Sequence, residues 1–122
     1  MDFEGLQVGD LKIAVDQEND TLVLRWQGAI YERNPEEYLD PFLKKITDQA
    51  KENSMKIVCY FDKLEYMNST SILSLIQLMR HFSEKKIHGE FVYDQNRKIQ
   101  VASFRALDVI AKTSSFITLR GI

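Results

Sequence analysis

The chain has 122 residues, 44 % hydrophobic and 28 % charged, with a net charge of −2. That length and composition fit one globular α/β domain over residues 1–122, able to bury about two-thirds of its unfolded surface without staples. The lone Cys59 excludes a disulfide scaffold, the small net charge disfavours nucleic acid or anionic lipid as partners, and no apolar run approaches the roughly 20 residues of a membrane span.

The start, Met1-Asp2-Phe3-Glu4, lacks the basic region of a secretory signal. With a free thiol, this predicts a cytoplasmic protein without membrane insertion. Leu11 to Val15 reads as the first strand, followed by the polar turn Gln17-Glu18-Asn19-Asp20. Thr21 to Trp26 alternates, with Leu22, Leu24 and Trp26 on one face and Val23 and Arg25 on the other, and Gly28 closes the strand. Alternation beside a polar turn predicts a β-hairpin.

Asn34-Pro35-Glu36-Glu37 predicts a helix start, with Asn34 as N-cap, Pro35 at the first helical position and acid in the first turn. Asp40-Pro41 offers a second start by the same logic, because a proline inside a helix removes a hydrogen bond. Phe42, Leu43, Ile46 and Ala50 lie at helical spacing, and Asn53-Ser54 ends the helix. Lys56 to Phe61 is a near-continuous apolar run, the pattern of a strand buried on both faces.

From Ser69 to Phe82 the period becomes 3.6, with Ile72, Leu75, Ile76, Met79 and Phe82 on one stripe and Lys85-Lys86 at the C-terminal end. Phe91-Val92-Tyr93 is a further strand. Ile99, Ala102, Ala106 and Ile110 mark a last helix facing the core, and Phe116 to Leu119 a final edge strand. Val101 and Phe104 fall opposite that stripe, so either the helix begins later or they cover a partner or second subunit. The order β-β-α-β-α-β-α-β predicts a mixed sheet of four to five strands packed against helices.

Charge is uneven. Residues 1–65 carry 8 Lys/Arg against 14 Asp/Glu, and residues 66–122 carry 8 against 4. Two solvated faces of opposite sign account for this. The alternative is a basic surface near Arg80, Lys85, Lys86, Arg97 and Lys98 that meets an acidic partner. Catalytic patterns are missing. His81 and His88 have no neighbours at metal-ligand spacing, the glycines lie singly, Cys59 sits among apolar residues as an inert thiol, and Glu36, Glu37 and Asp40 suit a helix start. No catalytic residue, metal or cofactor is predicted.

The informative stretch is Leu64-Glu65-Tyr66-Met67-Asn68-Ser69-Thr70-Ser71, between a buried strand and a helix. It falls at the carboxyl edge of the sheet, where ligands and functional loops gather. One of its polar residues capping the helix, with turn residues beside it, accounts for the pattern. So does a phosphorylation switch, since a helix N-terminus favours a phosphate.

Val58 to Ser71 resembles the strand–loop–helix of STAS domains, the anti-sigma-factor-antagonist fold. Those proteins carry D-S-S-G or D-S-T-G with the first hydroxyl phosphorylated. Here Asn68 replaces the aspartate, Ser71 the glycine, and Tyr60 the usual strand aspartate. Leu64 to Ser71 is more similar to the L-E-Y-[FL]-N-T-S-S of SiaC-type regulatory phosphoproteins, a STAS-like branch. Gly28, Tyr31, Asn34, Glu37, Tyr38 and Pro41 match that branch's G-x-S-Y-P-E-N and E-F-Y-x-P, with Glu32 and Arg33 departing, and Val92-Tyr93-Asp94 resembles its Y-Y-D.

The resemblance implies a non-enzymatic partner-switching regulator. A protein kinase phosphorylates Ser69, a PP2C-type phosphatase reverses this, and the unphosphorylated form binds and activates a diguanylate cyclase, raising cyclic-di-GMP and promoting biofilm formation. Asn68, Thr70 and Ser71 then shape the acceptor loop, and Tyr31, Asn34 and Tyr38 line the adjacent partner-binding surface. Whether Ser69 or Thr70 is the acceptor stays open. An anti-sigma factor as effector, or a small-ligand-binding STAS module, are the alternatives.

Overall fold

Alternating apolar residues build the first part of the sheet. In a computed structural model describing residues 3–122, strands β1 (Leu6–Val8), β2 (Leu11–Glu18) and β3 (Thr21–Ile30) run antiparallel. Met1 and Asp2, part of the acidic start, lie outside the described residues. The expected β2–β3 hairpin is present, with Ile13 opposite Trp26 and Val15 opposite Leu24. β1 brings the sheet to six strands; at three residues it is too short to show a period in sequence.

The rest alternates helix and strand: α1 (Glu36–Glu52), β4 (Lys56–Met67), α2 (Ser69–Lys85), β5 (Gly89–Tyr93), α3 (Lys98–Ala111) and β6 (Ile117–Gly121). Strands β3 to β6 are parallel neighbours in chain order. Right-handed crossovers stepping one way across a sheet put all three helices on one face, and α1 packs on α2 and α2 on α3. On the other face Arg25 lies over the Tyr60 ring at 4.9 Å and Arg120 pairs with Glu90 at 3.1 Å.

The core centres on Phe61, fully buried in β4, with ring centroids 4.8 Å from Trp26, 5.0 Å from Phe104 and 5.5 Å from Phe91. Cys59 is buried beside it. Burial pushes its thiol from the ordinary 9.0 up to about 12.

Several boundaries differ from the sequence reading. β3 continues past Gly28, which sits at φ +88 with the Asp10 carbonyl where a Cβ would lie. The sheet bends there through register irregularities between Arg25 and Ala29. α1 is one continuous helix, with Pro35 rather than Asn34 at its N-cap and no side-chain cap. Pro41 is tolerated inside because it is exposed, as is Glu37, whose carbonyl loses its amide partner. Leu39 joins the buried stripe and Phe42 only flanks it.

The stripe expected to bury α3 is the wrong one. The helix begins at Lys98, yet Phe104 and Leu107 are buried while Ile99 is 63 % exposed and Ala102 and Ala106 face solvent. α3 is apolar on two sides, and the larger Phe104 and Leu107 win the core. The cations near Arg80 to Lys98 do not form one surface either. Arg80, Lys85 and Lys86 belong to the later half and end of α2, whereas Arg97 and Lys98 open α3 at the opposite sheet edge. Lys85 pairs with Asp48 at 2.7 Å and Arg97 with Asp94 at 3.4 Å.

β4 runs twelve residues, well past the expected Phe61. β5 pairs with it only over Ile57–Tyr60, leaving later carbonyls without a strand. Buried Gln100 replaces the strand: its Nε2 donates to the carbonyls of Phe61 at 2.7 Å and Leu64 at 2.8 Å, and its Oε1 accepts from the Asp94 amide at 2.8 Å. Arg97 adds a bond to the Leu64 carbonyl at 3.1 Å.

Two outcomes are expected. Gln100→Leu should cost roughly 2–4 kcal/mol, measured by urea unfolding, because it strands buried polar groups; an unchanged midpoint would refute this role. Cys59 should resist alkylation until the chain unfolds. Its raised pKa favours the protonated thiol in the fold, a contribution complete below 9.0 and lost as pH rises from there towards about 12. Rapid native-state alkylation at pH 8 would contradict that burial.

Candidate functional site

β4 runs straight into α2 with one residue between them, Asn68. Asn68 has extended backbone angles and caps the helix. Its Oδ1 accepts from the Ser71 amide at 3.0 Å and from Ser71 Oγ at 2.6 Å. Its Nδ2 donates to the Glu32 carbonyl at 2.7 Å, tying the start of α2 to the β3–α1 connection. An aspartate could cap the helix but could not donate this last bond, which gives a physical reason for asparagine here.

Ser71 turns inward and is buried. Ser69, the first residue of α2, is exposed, and Thr70 is half-buried beside a groove. First-turn amides have no intrahelical partner. With the Ser71 amide taken by Asn68, those of Ser69 and Thr70 are left for an anion at the Ser69 hydroxyl.

The β3 end supplies the neighbouring surface. Ile30 is registered with Met67, so Tyr31 emerges beside the end of β4. Its ring stacks on Tyr66 with centroids 5.2 Å apart, and the two are 63 % and 39 % exposed. Tyr38, half-buried on α1, donates its hydroxyl to Glu32 Oε2 at 3.0 Å. Burial, then that hydrogen bond and the Glu32 charge, hold the phenol well above its ordinary pKa, so it stays a donor.

Asn68, Ser69, Ser71, Tyr31 and Tyr38 therefore share one edge, linked through Glu32. Asn34 is exposed in the turn entering α1, where its carbonyl accepts from Glu37 at 3.2 Å, and its side chain bonds none of the others. Glu32 is the residue that sequence reasoning missed. It stood out there only as a departure from a motif, and it works partly through its backbone.

Between α1 and α2 lies an open groove of about 1020 Å³, lined by Glu36, Glu37 and Asp40 on one bank and Leu73, Gln77 and Arg80 on the other. Lys44, Arg80 and His81 also line it, so its charge is mixed. Among the described residues no group of His, Cys, Asp and Glu could hold a metal, and no helix is long and apolar enough to cross a membrane.

Asn68→Ala should lose cap and link together, about 1–3 kcal/mol. Asn68→Asp keeps the cap and should fall between Ala and wild type in thermal unfolding. Equal losses in both variants would show that the cap contributes nothing.

The model of the SiaC family of regulatory phosphoproteins matches residues 10–100. Similar folds include a chain in the crystal structure of the diguanylate cyclase SiaD in complex with its activator SiaC from Pseudomonas aeruginosa: TM-score 0.68, 15 % identity, covering 98 % of this chain and 100 % of that one. SiaC of Pseudomonas aeruginosa on its own gives a TM-score of 0.60 at 16 % identity, covering 96 % and 97 %. An anti-sigma factor antagonist from Mycobacterium paratuberculosis gives 0.62 at 16 % identity, covering 96 % and 92 %. No curated protein sequence matches the chain. A SpoIIAA-like mixed α/β fold and a family match spanning strand β3, helix α1 and the β4–α2 junction lead to one conclusion: the chain belongs to the SiaC family of regulatory phosphoproteins.

Proposed function

We propose that residues 1–122 act as one STAS-like, non-enzymatic switch module, with Ser69 as its phosphoacceptor. The observation that carries this reading is the exposed position of Ser69 as the first residue of α2, within the part of the chain that matches the family model. Thr70 is half-buried towards the groove and Ser71 is buried and bonded to Asn68, which favours Ser69 over its neighbours.

In this reading a protein kinase phosphorylates Ser69 and a PP2C-type phosphatase removes the phosphate. The unphosphorylated form binds and activates a diguanylate cyclase in the cytoplasm, the class of partner that SiaC of Pseudomonas aeruginosa activates in the solved complex. A phosphate adds about −1.5 to −2 charges at neutral pH. The fold accommodates it at the helix N-terminus, while a docked partner meets repulsion and a desolvation cost. Asn68, Ser71, Tyr31 and Tyr38 hold or border the contact surface, and Asn34 and Thr70 lie at its margin.

The test is intact mass with site mapping after incubation with ATP and the cognate kinase. One phosphate on Ser69, absent in Ser69→Ala and retained in Thr70→Val, is expected. The phosphoprotein should then bind the cyclase at least about tenfold more weakly, roughly 1.4 kcal/mol. No phosphate on Ser69 from a kinase active on another substrate would overturn the switch. Binding to an anti-sigma factor and to no cyclase would replace the effector.

A further inference from the structure

We infer that the outward face of α3 docks an acidic amphipathic helix of the effector, and that this face and the Ser69 edge form one surface. The inference rests on the proposed switch and names the chemistry of its partner. Ile99, Ala102, Ala106 and Val109 line the solvent side of α3 at spacings of three, four and three residues, with Ile99 63 % and Val109 70 % exposed. That is the apolar seam of a helix that meets another helix. The opposite side, through Phe104 and Leu107, already faces the core. The two alanines let a second backbone approach closely.

Charge decides what lies on the seam. Lys98, Arg105 and Lys112 follow one flank at seven-residue intervals, and Lys98 and Arg105 have no ion pair among the described residues. Lys112, the C-cap of α3, pairs among the described residues only with Asp108 of that helix, at 2.9 Å. A two-fold antiparallel pairing of α3 with a second copy would set Arg105 against Arg105 and Lys98 against Lys112. Such like-charge contacts disfavour self-association, whereas glutamates or aspartates flanking a partner's seam would be matched.

The seam is continuous with the phosphoacceptor edge. Ile99 and Ser103 line one narrow crevice with Glu65, Tyr66 and Met67, and Tyr66 carries the stacked Tyr31. Ser69 lies two residues beyond Met67. A phosphate there stands at the border of a surface that attracts acid, and it repels the helix that the cations recruit. This links the charge of the modification to release without any change of fold.

The experiment measures binding of the purified diguanylate cyclase of the same organism to four unphosphorylated forms: wild type, Ala106→Glu, Arg105→Glu and, on the bare sheet face, Thr118→Glu. All three substitutions are on exposed positions, and unchanged melting temperatures confirm the fold. The expected result is a loss of at least about tenfold for Ala106→Glu and Arg105→Glu, none for Thr118→Glu, and wild-type affinity that falls with added salt. Wild-type affinity in both α3 variants, with binding still lost on phosphorylation, would overturn the α3 surface and leave the switch standing. Loss in Ala106→Glu alone would overturn the acidic character of the partner. A wild-type protein that does not bind the cyclase would overturn the switch's effector and this inference with it.

Discussion

The site depends on how Asn68 divides its hydrogen bonds. One side-chain amide caps α2 through Ser71 and holds the Glu32 carbonyl in the β3–α1 connection. Both ends of that amide are used, so the start of α2 is fixed relative to a second segment of chain. Ser69, the first residue of the helix, is left exposed, and Ser71, the third, is drawn inward. The proposed phosphoacceptor role needs this arrangement: an accessible serine on a backbone that does not have to unfold to present it.

The platform under Asn68 follows from strand length. β3 and β4 continue together beyond the end of β5, which brings Tyr31 and Tyr66 side by side at the carboxyl edge. A parallel strand without its neighbour would leave buried carbonyls unpaired, and Gln100 answers that need from α3. The same residue therefore supports the strand and seats α3 against the edge. With Gln100, Phe104 and Leu107 turned inward, the Ile99–Val109 seam must face out. Core packing and the exposed surface are two consequences of one helix orientation.

Much of this was legible in sequence. The β2–β3 hairpin shows in the alternation of Leu22, Leu24 and Trp26, and α2 in the stripe Ile72, Leu75, Ile76, Met79 and Phe82, although Ile72 and Ile76 are only partly buried and Leu78 joins the core. The junction from Leu64 to Ser71 carried the family resemblance, and the family model bears that resemblance out. Elements failed where a local pattern was ambiguous or the determinant was distant. α3 has two apolar faces, and only the volumes of Phe104 and Leu107 in the assembled core choose between them. The extension of β4 depends on Gln100, 36 residues from the carbonyl of Leu64 that it satisfies. Asn34 lost the N-cap to Pro35, and Glu32 acts through a carbonyl that no side-chain pattern reveals.

In the proposed switch, phosphate at Ser69 changes the charge of a surface while the fold stays still. Amide chemical shifts of the protein with and without phosphate on Ser69 test it most directly. The account predicts changes confined to residues 31–34, 66–72 and 98–103, with the core strands and the later turns of α1 and α2 unmoved. Shifts spread through β4 and the body of α2, or lost protection of their amides, would show a conformational switch and contradict an electrostatic one.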